Sequence, residues 1–311
     1  MKLRNLIVGA GLGVGAVAGA NRLLADRAGT PSPPLGRATE AYRWRGFDIA
    51  YTEAGDPADP DLLLLHGINA AGSSAEFEAC FDELADHYHV LAPDLPGFGL
   101  SDRPPLMYSP SLYVTFIADF LRDRTEEPTV VASSLTAAYT AMAVEQGAAV
   151  EELVLVCPTD RTVPGRRVWL RSLLRTPLVG EAMFNLIASE PSLRYFQRDH
   201  GVYDTRLIDE EWTTYRWQLT HQQGARYAPA SFVSGFLDPE EELRDVLAGV
   251  DVPTTIAWGR DVEMLPVERG HELAEAADAR LVVFDDALLL PHYEHPGEFV
   301  DLVRGRLEAT A

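Results

Sequence analysis

Short aliphatic runs alternate along most of the chain with longer segments that have helical spacing. Between 75 and 87, the apolar residues Phe77, Phe81 and Leu84 recur at the three- to four-residue spacing of a helix with one buried face. Similar amphipathic helices are predicted at 111–124, at 267–277 and from Pro296 onward.

The aliphatic runs are typical of strands that are buried on both faces. They occupy residues 61–65, 88–92, 129–133, 152–157, 254–258 and 280–284. Residues 42–52 also have strand character. Because strands alternate with helices, the pattern predicts an α/β fold with a mostly parallel central sheet and helices on both faces.

One long stretch, 161–250, interrupts this alternation. It is helix-like, rich in Trp, Tyr and Phe, and locally basic at 161–175. A helical insertion at this point would cover the carboxyl ends of the strands, where open α/β sheets bind ligands. We therefore predict an α/β core formed by residues 41–160 and 251–311, with a helical cap at 161–250.

The amino-terminal segment, residues 1–25, has the pattern of a signal or membrane anchor. Lys2 and Arg4 precede residues 6–20, which have no polar side chain, and a Pro-rich linker is predicted at 26–40. The run is short for a spanning helix, which needs about 20 residues. An anchor or uncleaved signal, a cleaved signal and a free tail all remain open, and the pattern favours a membrane-anchored or cytoplasmic protein over a secreted one.

Glycines in this segment also fit a nucleotide-binding pattern, G-x-G-x-x-A at 13–18. No second strand of a βαβ unit follows, since Pro31, Pro33 and Pro34 occupy its place. We therefore expect no dinucleotide cofactor. Cys80 and Cys157 are too few for a disulfide framework and lack metal-ligand spacing, so no metal site is expected either.

The charge balance is strongly acidic. The chain has 47 acidic and 26 basic residues, a net charge of −21, and Lys2 is its one lysine. A surface of solvated carboxylates of this kind is typical of salt-adapted, halophilic proteins. Binding to nucleic acid is not expected, because contacts with phosphate need basic patches.

A serine occupies the corner where the run at 129–133 passes into a segment of small, helix-forming residues. Such a strand-to-helix turn exposes a serine hydroxyl at the carboxyl end of a sheet, beside backbone N–H groups that stabilise an oxyanion. Ser134 fits the corner because Ala132 is small, although Thr136 is bulkier than the glycine usual there. The alternative, Ser133, would be flanked by Val131 and Leu135.

Four sequence features together resemble the α/β-hydrolase superfamily over about residues 40–308. They are, in order, His66-Gly67-Ile68-Asn69, Asp94-Leu-Pro-Gly-Phe-Gly-Leu-Ser101, Ala132-Ser-Ser-Leu-Thr136, and Trp258-Gly259 with Pro291-His-Tyr-Glu-His-Pro296. The resemblance implies that Ser134 is the nucleophile and that the N–H groups of Ile68 and Leu135 hold the oxyanion. It also implies structural roles for His66, in what we call the oxyanion loop (66–69), and for Asp94, which would bind neighbouring amides.

The chain departs from this family at the acid and the base. The usual acid position is Val262, so the candidates are its neighbours Asp261 and Glu263, or Asp160 after the preceding strand. The usual base position is Leu289, and an aliphatic side chain accepts no proton.

Three interpretations of the missing base remain open. His292, three residues further on, could act in a rearranged loop; His200 or His221 of the cap could replace it; or the triad is incomplete. His295, beside His292, is expected to cap or pack the last helix.

We expect a hydrolase that acts on an ester or similar small acyl substrate, with Ser134 as nucleophile, His292 as base and Asp261 or Glu263 orienting it. The alternative is a catalytically impaired relative that binds a hydrophobic ligand or partner under its cap. Four aromatic cap residues would either shape an apolar pocket or fill the core of the cap: Trp169, Trp212, Tyr215 and Trp217.

Overall fold

The predicted aliphatic runs form the centre of one eight-stranded sheet. The computed structural model describes the backbone of residues 2–307 and the side chains of residues 15–307. Across the sheet the strands follow the order β1-β2-β4-β3-β5-β6-β7-β8. Their bounds are β1 (Thr39–Trp44), β2 (Phe47–Ala54), β3 (Asp61–Leu65), β4 (His89–Pro93), β5 (Thr129–Ser133), β6 (Glu152–Val156), β7 (Thr254–Gly259) and β8 (Arg280–Phe284).

The pairing is parallel from β4 to β8 and antiparallel only where β1 meets β2 and β2 meets β4. Two clusters of buried apolar side chains cover the two faces of the sheet, so the central strands are apolar on both sides. Parallel strands end at the same edge, which brings the loops after β3, β5, β6 and β7 together. The α/β fold predicted from the sequence is confirmed.

Thirteen α-helices among residues 2–307 complete the fold. They are α1 (Lys2–Ala28), α2 (Phe81–Ala85), α3 (Pro110–Arg124), α4 (Leu135–Glu145), α5 (Val168–Arg175), α6 (Val179–Ile187), α7 (Glu190–Phe196), α8 (Glu210–Thr220), α9 (Tyr227–Phe232), α10 (Leu243–Leu247), α11 (Val267–Ala277), α12 (Pro291–Glu294) and α13 (Pro296–Val303). Helices α5 to α10 all lie between β6 and β7. We call α5 to α9 the cap helices, because α10 packs in the core against α4 and α11.

Helix α1 extends into the segment predicted as a linker, because residues 26–28 are helical. Its second half packs on the cap helices: Ala28 lies in a small apolar cluster with Trp217, and the Asn21 Nδ2 group donates to the Leu178 carbonyl over 3.0 Å. Residues 21–28 therefore belong to the folded protein. Met1 and the side chains of residues 2–14, which include most of the predicted anchor, lie outside the described residues.

None of the helices in the described part of the chain is both long enough and apolar enough to cross a membrane. The predicted membrane association through residues 6–20 thus has no support from the described residues.

Two sequence predictions differ from the structure. The strand predicted at 42–52 is a hairpin, because Arg45 and Gly46 adopt positive φ values of 45° and 94° and turn the chain between β1 and β2. The single helix predicted at 75–87 is a 3₁₀ turn (Ser74–Phe77) followed by α2. The apolar spacing correctly indicated which side chains are buried, but not whether the helix is continuous.

Candidate active site

Ser134 occupies the corner between β5 and α4 and has a strained backbone conformation. Its φ of 54° and ψ of −128° lie in a region that residues with a side chain rarely adopt. The corner is held because the Ser134 N–H donates to the Val156 carbonyl over 2.8 Å, while the Ser134 carbonyl accepts the Ala137 and Thr159 N–H groups. The side chain is only partly buried, so its hydroxyl faces the carboxyl edge of the sheet.

Close contact between this corner and the oxyanion loop depends on Gly67. A Cβ atom at Gly67 would lie 3.3 Å from the Cβ of Ser134 and 3.2 Å from the Oγ of Ser133. Thr136 fits although the family has glycine there, because its hydroxyl donates to the His66 carbonyl over 2.7 Å. The bulkier residue thus links α4 to the oxyanion loop.

The two backbone groups predicted to hold an oxyanion are free. Leu135 is the first residue of α4, where N–H groups have no partner within the helix. Within residues 2–307, neither the Leu135 N–H nor the Ile68 N–H donates a hydrogen bond. Two unpaired donors beside a serine hydroxyl are what the stabilisation of a tetrahedral oxyanion requires.

His66 fixes the oxyanion loop and does not face the serine. Its Nε2 accepts the Leu95 N–H over 3.0 Å, so the proton of the neutral ring must lie on Nδ1, which donates to the Gly67 carbonyl over 2.8 Å. The ring is fully buried. These contacts agree with the structural role expected for His66.

Asp94 binds neighbouring amides, as the resemblance implied. Its Oδ1 accepts both the N–H and the hydroxyl of Ser74, and its Oδ2 accepts the Leu100 N–H over 2.7 Å. The carboxylate therefore joins the segment after the oxyanion loop to the turn after β4.

Apolar side chains occupy the two positions to which the resemblance assigns the acid and the base. Val262 is buried in the core cluster on one face of the sheet, and Leu289 packs against the same cluster. Asp261 and Glu263, which flank Val262, are exposed. Among the described residues neither forms a hydrogen bond or ion pair with a histidine, so the structure gives no support to either as the acid.

His292 lies in a closed apolar site beside a different acid. Its ring is fully buried, 5.0 Å from the Phe77 ring and 5.5 Å from the Phe299 ring between centroids. Its Nε2 is 3.4 Å from Oε1 of Glu76. Within residues 15–307 no hydrogen bond joins His292 to Ser134, so the role of His292 as base stays a prediction.

Glu76 is the residue that sequence reasoning missed. It is buried, and its Oε2 accepts the Gly67 N–H over 3.0 Å. Burial by itself would raise the pKa of Glu76, but the contacts with His292, Ser133 and His66 outweigh it and hold this pKa below its usual range. The one signal in the sequence was an acid directly between the apolar residues Ala75 and Phe77.

The other candidate acid and bases have structural partners. Asp160 Oδ2 accepts the Leu243 N–H over 2.7 Å and lies 3.8 Å from Arg269. His221 Nδ1 lies 2.8 Å from the Trp217 carbonyl, and burial lowers the pKa of His221. His200 lies 3.3 Å from Asp199. None of these side chains contacts Ser134 through a hydrogen bond in the described part of the chain.

A groove of about 1240 Å³ lies between cap helix α8, the segment 32–38 and the residues 75–82 that follow the oxyanion loop, and Ser134 is not among its lining residues. Its lining includes the Trp212, Tyr215 and Arg216 side chains of α8, which carry hydrogen-bond donors. The Trp212 Nε1 and the Tyr215 hydroxyl are buried without a hydrogen-bond partner. The buried Arg216 guanidinium stacks on the Trp212 ring, 3.6 Å from its centroid, and forms no hydrogen bond or ion pair within residues 15–307. We call these three residues the α8 donor set.

The other two aromatic residues predicted for the cap have different roles. Trp217 is buried against Ala28 and Leu193, which places it in the contact between the cap and α1. Trp169 is 66% exposed and so neither fills the cap core nor lines the groove. The described side chains include no cluster of three or more His, Cys, Asp or Glu residues that could hold a metal ion.

The sequence profile of the alpha/beta hydrolase family matches residues 62–302. One curated relative is a 2-hydroxymuconate semialdehyde hydrolase of Pseudomonas sp. strain CF600, which is 26% identical over 88% of this chain and 93% of the relative. Another is a 2-hydroxy-6-oxo-6-(2'-aminophenyl)hexa-2,4-dienoic acid hydrolase of Metapseudomonas resinovorans, which is 25% identical over 86% of this chain and 89% of the relative. The solved structure of a 2-hydroxy-6-oxo-6-phenylhexa-2,4-dienoate hydrolase from Rhodococcus sp. strain RHA1 has the same fold, with a TM-score of 0.68 at 20% identity over 86% of this chain and 98% of that one. The chain belongs to the alpha/beta hydrolase family.

Proposed function

We propose that this chain is a slow serine hydrolase that acts on small acyl compounds, with Ser134 as its nucleophile. The observation that carries the proposal is the strained conformation of Ser134 beside two unpaired N–H groups. Backbone strain of this kind costs about 1–3 kcal/mol and persists where the surrounding structure enforces it, most often at functional sites.

The reaction has two steps. The Ser134 oxygen bonds to the carbonyl carbon while the N–H groups of Ile68 and Leu135 hold the developing oxyanion. The bond to the leaving group then breaks, and the serine proton ends on the leaving alcohol. Water attacks the acyl-enzyme in the same way and releases the acid. With Leu289 in the usual base position, an oxyanion hole and binding together support an acceleration of about 10³–10⁴-fold over water.

The α8 donor set supports a substrate that carries a carboxylate. Its free groups are all donors, and a guanidinium binds a carboxylate with two parallel hydrogen bonds. Three acids that line the groove have partners: Glu78 accepts the Tyr293 hydroxyl, Asp82 pairs with Arg37, and Asp209 caps α8. The other two, Glu210 and Glu211, are exposed to solvent. Both curated relatives are named for unsaturated acids or their semialdehydes, which is consistent with an anionic substrate.

The test is covalent labelling with a fluorophosphonate at high salt. We expect the wild type to gain one phosphonyl group as the P–F bond breaks, located on Ser134 by peptide mass spectrometry. Ser134→Ala should not react, whereas Ser111→Ala, which changes an exposed serine of α3, should react like the wild type. An adduct on Ser133, or equal labelling of Ser134→Ala, would contradict the proposal.

Replacing Arg216 by methionine should weaken turnover of anionic substrates selectively. A hydrogen bond to a charged group contributes about 1.5–3 kcal/mol, so kcat/KM for mono-4-nitrophenyl succinate should fall by about 10–10²-fold. Hydrolysis of 4-nitrophenyl acetate, which lacks the carboxylate, should change little. Arg206→Met, at an exposed arginine of the cap, is the matched control. An equal loss for both esters would show that Arg216 does not recognise the carboxylate.

A second candidate function is ligand binding without turnover. It is favoured by the two apolar side chains, Val262 and Leu289, that replace the acid and base of the family and pack into the core. On this hypothesis the groove holds a hydrophobic or anionic ligand, and Ser134 remains unreactive. Absence of labelling in the wild type would support it over the hydrolase.

A further inference from the structure

Two consecutive peptide groups of the oxyanion loop are fixed by side chains from distant parts of the chain. In the peptide between His66 and Gly67, the carbonyl accepts the Thr136 hydroxyl over 2.7 Å and the N–H donates to Glu76 over 3.0 Å. Both ends of this peptide are therefore held, one by α4 and the other by the buried carboxylate.

The next peptide joins Gly67 to Ile68. Its carbonyl accepts the Nδ1–H of His66 over 2.8 Å. In a trans peptide the carbonyl and the N–H point in opposite directions, so this bond also sets the direction of the Ile68 N–H. Of the four polar groups in the two peptides, the Ile68 N–H is the one that lacks a partner among the described residues.

Glu76 is an unusual residue to hold a loop, because a buried carboxylate without a partner is costly. Its second oxygen, Oε1, faces Nε2 of His292 at 3.4 Å, an ion-pair distance that is longer than a good hydrogen bond. Neither ring nitrogen of His292 has a hydrogen-bond partner within residues 15–307. Phe77 and Phe299 cover the ring, so Glu76 is the polar group that His292 contacts.

Other polar groups face Glu76 from several elements. The Ser133 hydroxyl, at the end of β5, and the His66 ring both favour its charged form. Arg216 of the cap also interacts electrostatically with Glu76, whose negative charge favours the charged form of the guanidinium. The carboxylate is thus surrounded by groups that stabilise its negative charge.

We propose that Glu76 is a positioning residue for the oxyanion loop, that His292 is its buried partner, and that Thr136 completes the clamp on the His66–Gly67 peptide. Glu76 touches no reacting atom and acts by keeping the Ile68 N–H aimed at the oxyanion. This assignment rests on the proposed hydrolase function. It gives His292 a role that does not require contact with Ser134.

The test compares Glu76→Gln and Glu76→Ala with Glu83→Gln, an exposed acid of α2 that contacts none of these residues. Misplacing one oxyanion donor lowers kcat by about 10²–10³-fold at most, and we expect about 10–10²-fold for Glu76→Ala, with KM for 4-nitrophenyl acetate nearly unchanged. Glu76→Gln retains an acceptor for the Gly67 N–H, so its kcat should fall less than that of Glu76→Ala. Glu83→Gln should match the wild type.

The Gly67 amide provides a readout that does not depend on activity. In the wild type its proton resonance should lie downfield, as expected for a bond to a carboxylate, and should move upfield in both Glu76→Gln and His292→Gln. Adding His292→Gln to Glu76→Gln should produce little further change, because the pair is already broken.

The outcomes separate the two proposals. Suppose that the fluorophosphonate labels the wild type, and that Glu76→Gln and Glu76→Ala keep its kcat and its Gly67 resonance. The positioning role is then wrong, while the hydrolase proposal is supported. If the wild type does not react, the hydrolase proposal fails. The Gly67 resonance then decides whether Glu76 and His292 hold the loop: a shift supports the clamp, and its absence overturns it.

Discussion

Replacing Leu289 by histidine together with Val262 by aspartate should raise kcat/KM for an activated ester by about 10²–10⁴-fold, the contribution of a well-placed general base. The family resemblance assigns these two positions to the base and to the acid that orients it. On the proposed function the wild type supplies Ser134 as nucleophile and the N–H groups of Ile68 and Leu135 as oxyanion donors, and the variant adds a base and an acid at the positions that the resemblance assigns to them. Steady-state hydrolysis of 4-nitrophenyl acetate measures the gain.

The structure brings the two substituted loops together. The Asp261 N–H donates to the Ala287 carbonyl over 3.1 Å, and a Cβ at Gly259 would lie 2.0 Å from the Leu288 carbonyl oxygen. The end of β7 is therefore in direct backbone contact with the segment that precedes Leu289. An aspartate at 262 and a histidine at 289 would start from neighbouring backbone positions.

The single variants should behave differently from the double variant. Val262→Asp alone places an unpaired carboxylate in the core and should lower the free energy of unfolding. Leu289→His alone supplies a base without its orienting acid and should gain less activity.

Leu290→His is the matched control, because it adds a histidine one residue further on, where the native leucine packs near Trp212 in the cap. If the double variant gains no more than this control, position 289 does not face Ser134.

Much of the fold could be predicted because the central strands are buried on both faces and leave continuous aliphatic runs in the sequence. The predicted bounds of 61–65, 129–133 and 280–284 agree with β3, β5 and β8. The hairpin between β1 and β2 was missed because its turn consists of Arg45 and Gly46, and no apolar pattern marks a two-residue turn inside a strand-like stretch.

The site could be predicted only where local sequence determines the geometry. Ser134 and Leu135 occupy the strand-to-helix corner, as expected from the local sequence alone, and their roles in catalysis stay predictions. Glu76 and His292 lie 216 positions apart in the chain and meet only because the sheet brings the loop after β3 next to the start of α12. A buried pair of this kind has no local signature. Asp261 and Glu263 were chosen as acids for another reason, because they flank Val262, the position that the resemblance assigns to the acid.

Replacing Asp94 by alanine should destabilise the protein by about 3–5 kcal/mol, since hydrogen bonds to a charged group contribute about 1.5–3 kcal/mol each and are not additive. The carboxylate is fully buried and accepts three hydrogen bonds, two from Ser74 and one from Leu100. Its removal leaves both backbone N–H groups without an acceptor. Urea-induced unfolding at high salt, followed by tryptophan fluorescence, measures the change.

The turn after β4 packs directly against the Asp94 carboxylate. A Cβ at Gly99 would lie 2.0 Å from the carboxyl carbon of Asp94, so the turn after β4 follows the carboxylate closely. A domain is stable by about 5–15 kcal/mol in total, and Asp94→Ala should therefore lower the urea midpoint by a large fraction. The urea midpoint of Asp94→Asn should lie between those of the wild type and Asp94→Ala. One amide oxygen then replaces two carboxylate acceptors, and the NH₂ group faces an N–H donor.

Asp102→Asn is the matched control for this measurement. Asp102 Oδ2 accepts a single exposed N–H, that of Asp48, over 2.8 Å, and an exposed neutral acceptor replaces it at a cost of roughly 0.5 kcal/mol. Asp94 also fixes Ser74, beside the segment that contains Glu76, so its loss should slow fluorophosphonate labelling even under conditions where the variant stays folded. Equal midpoints for the Asp94 and Asp102 variants would mean that the turn after β4 is held by packing and not by the buried carboxylate.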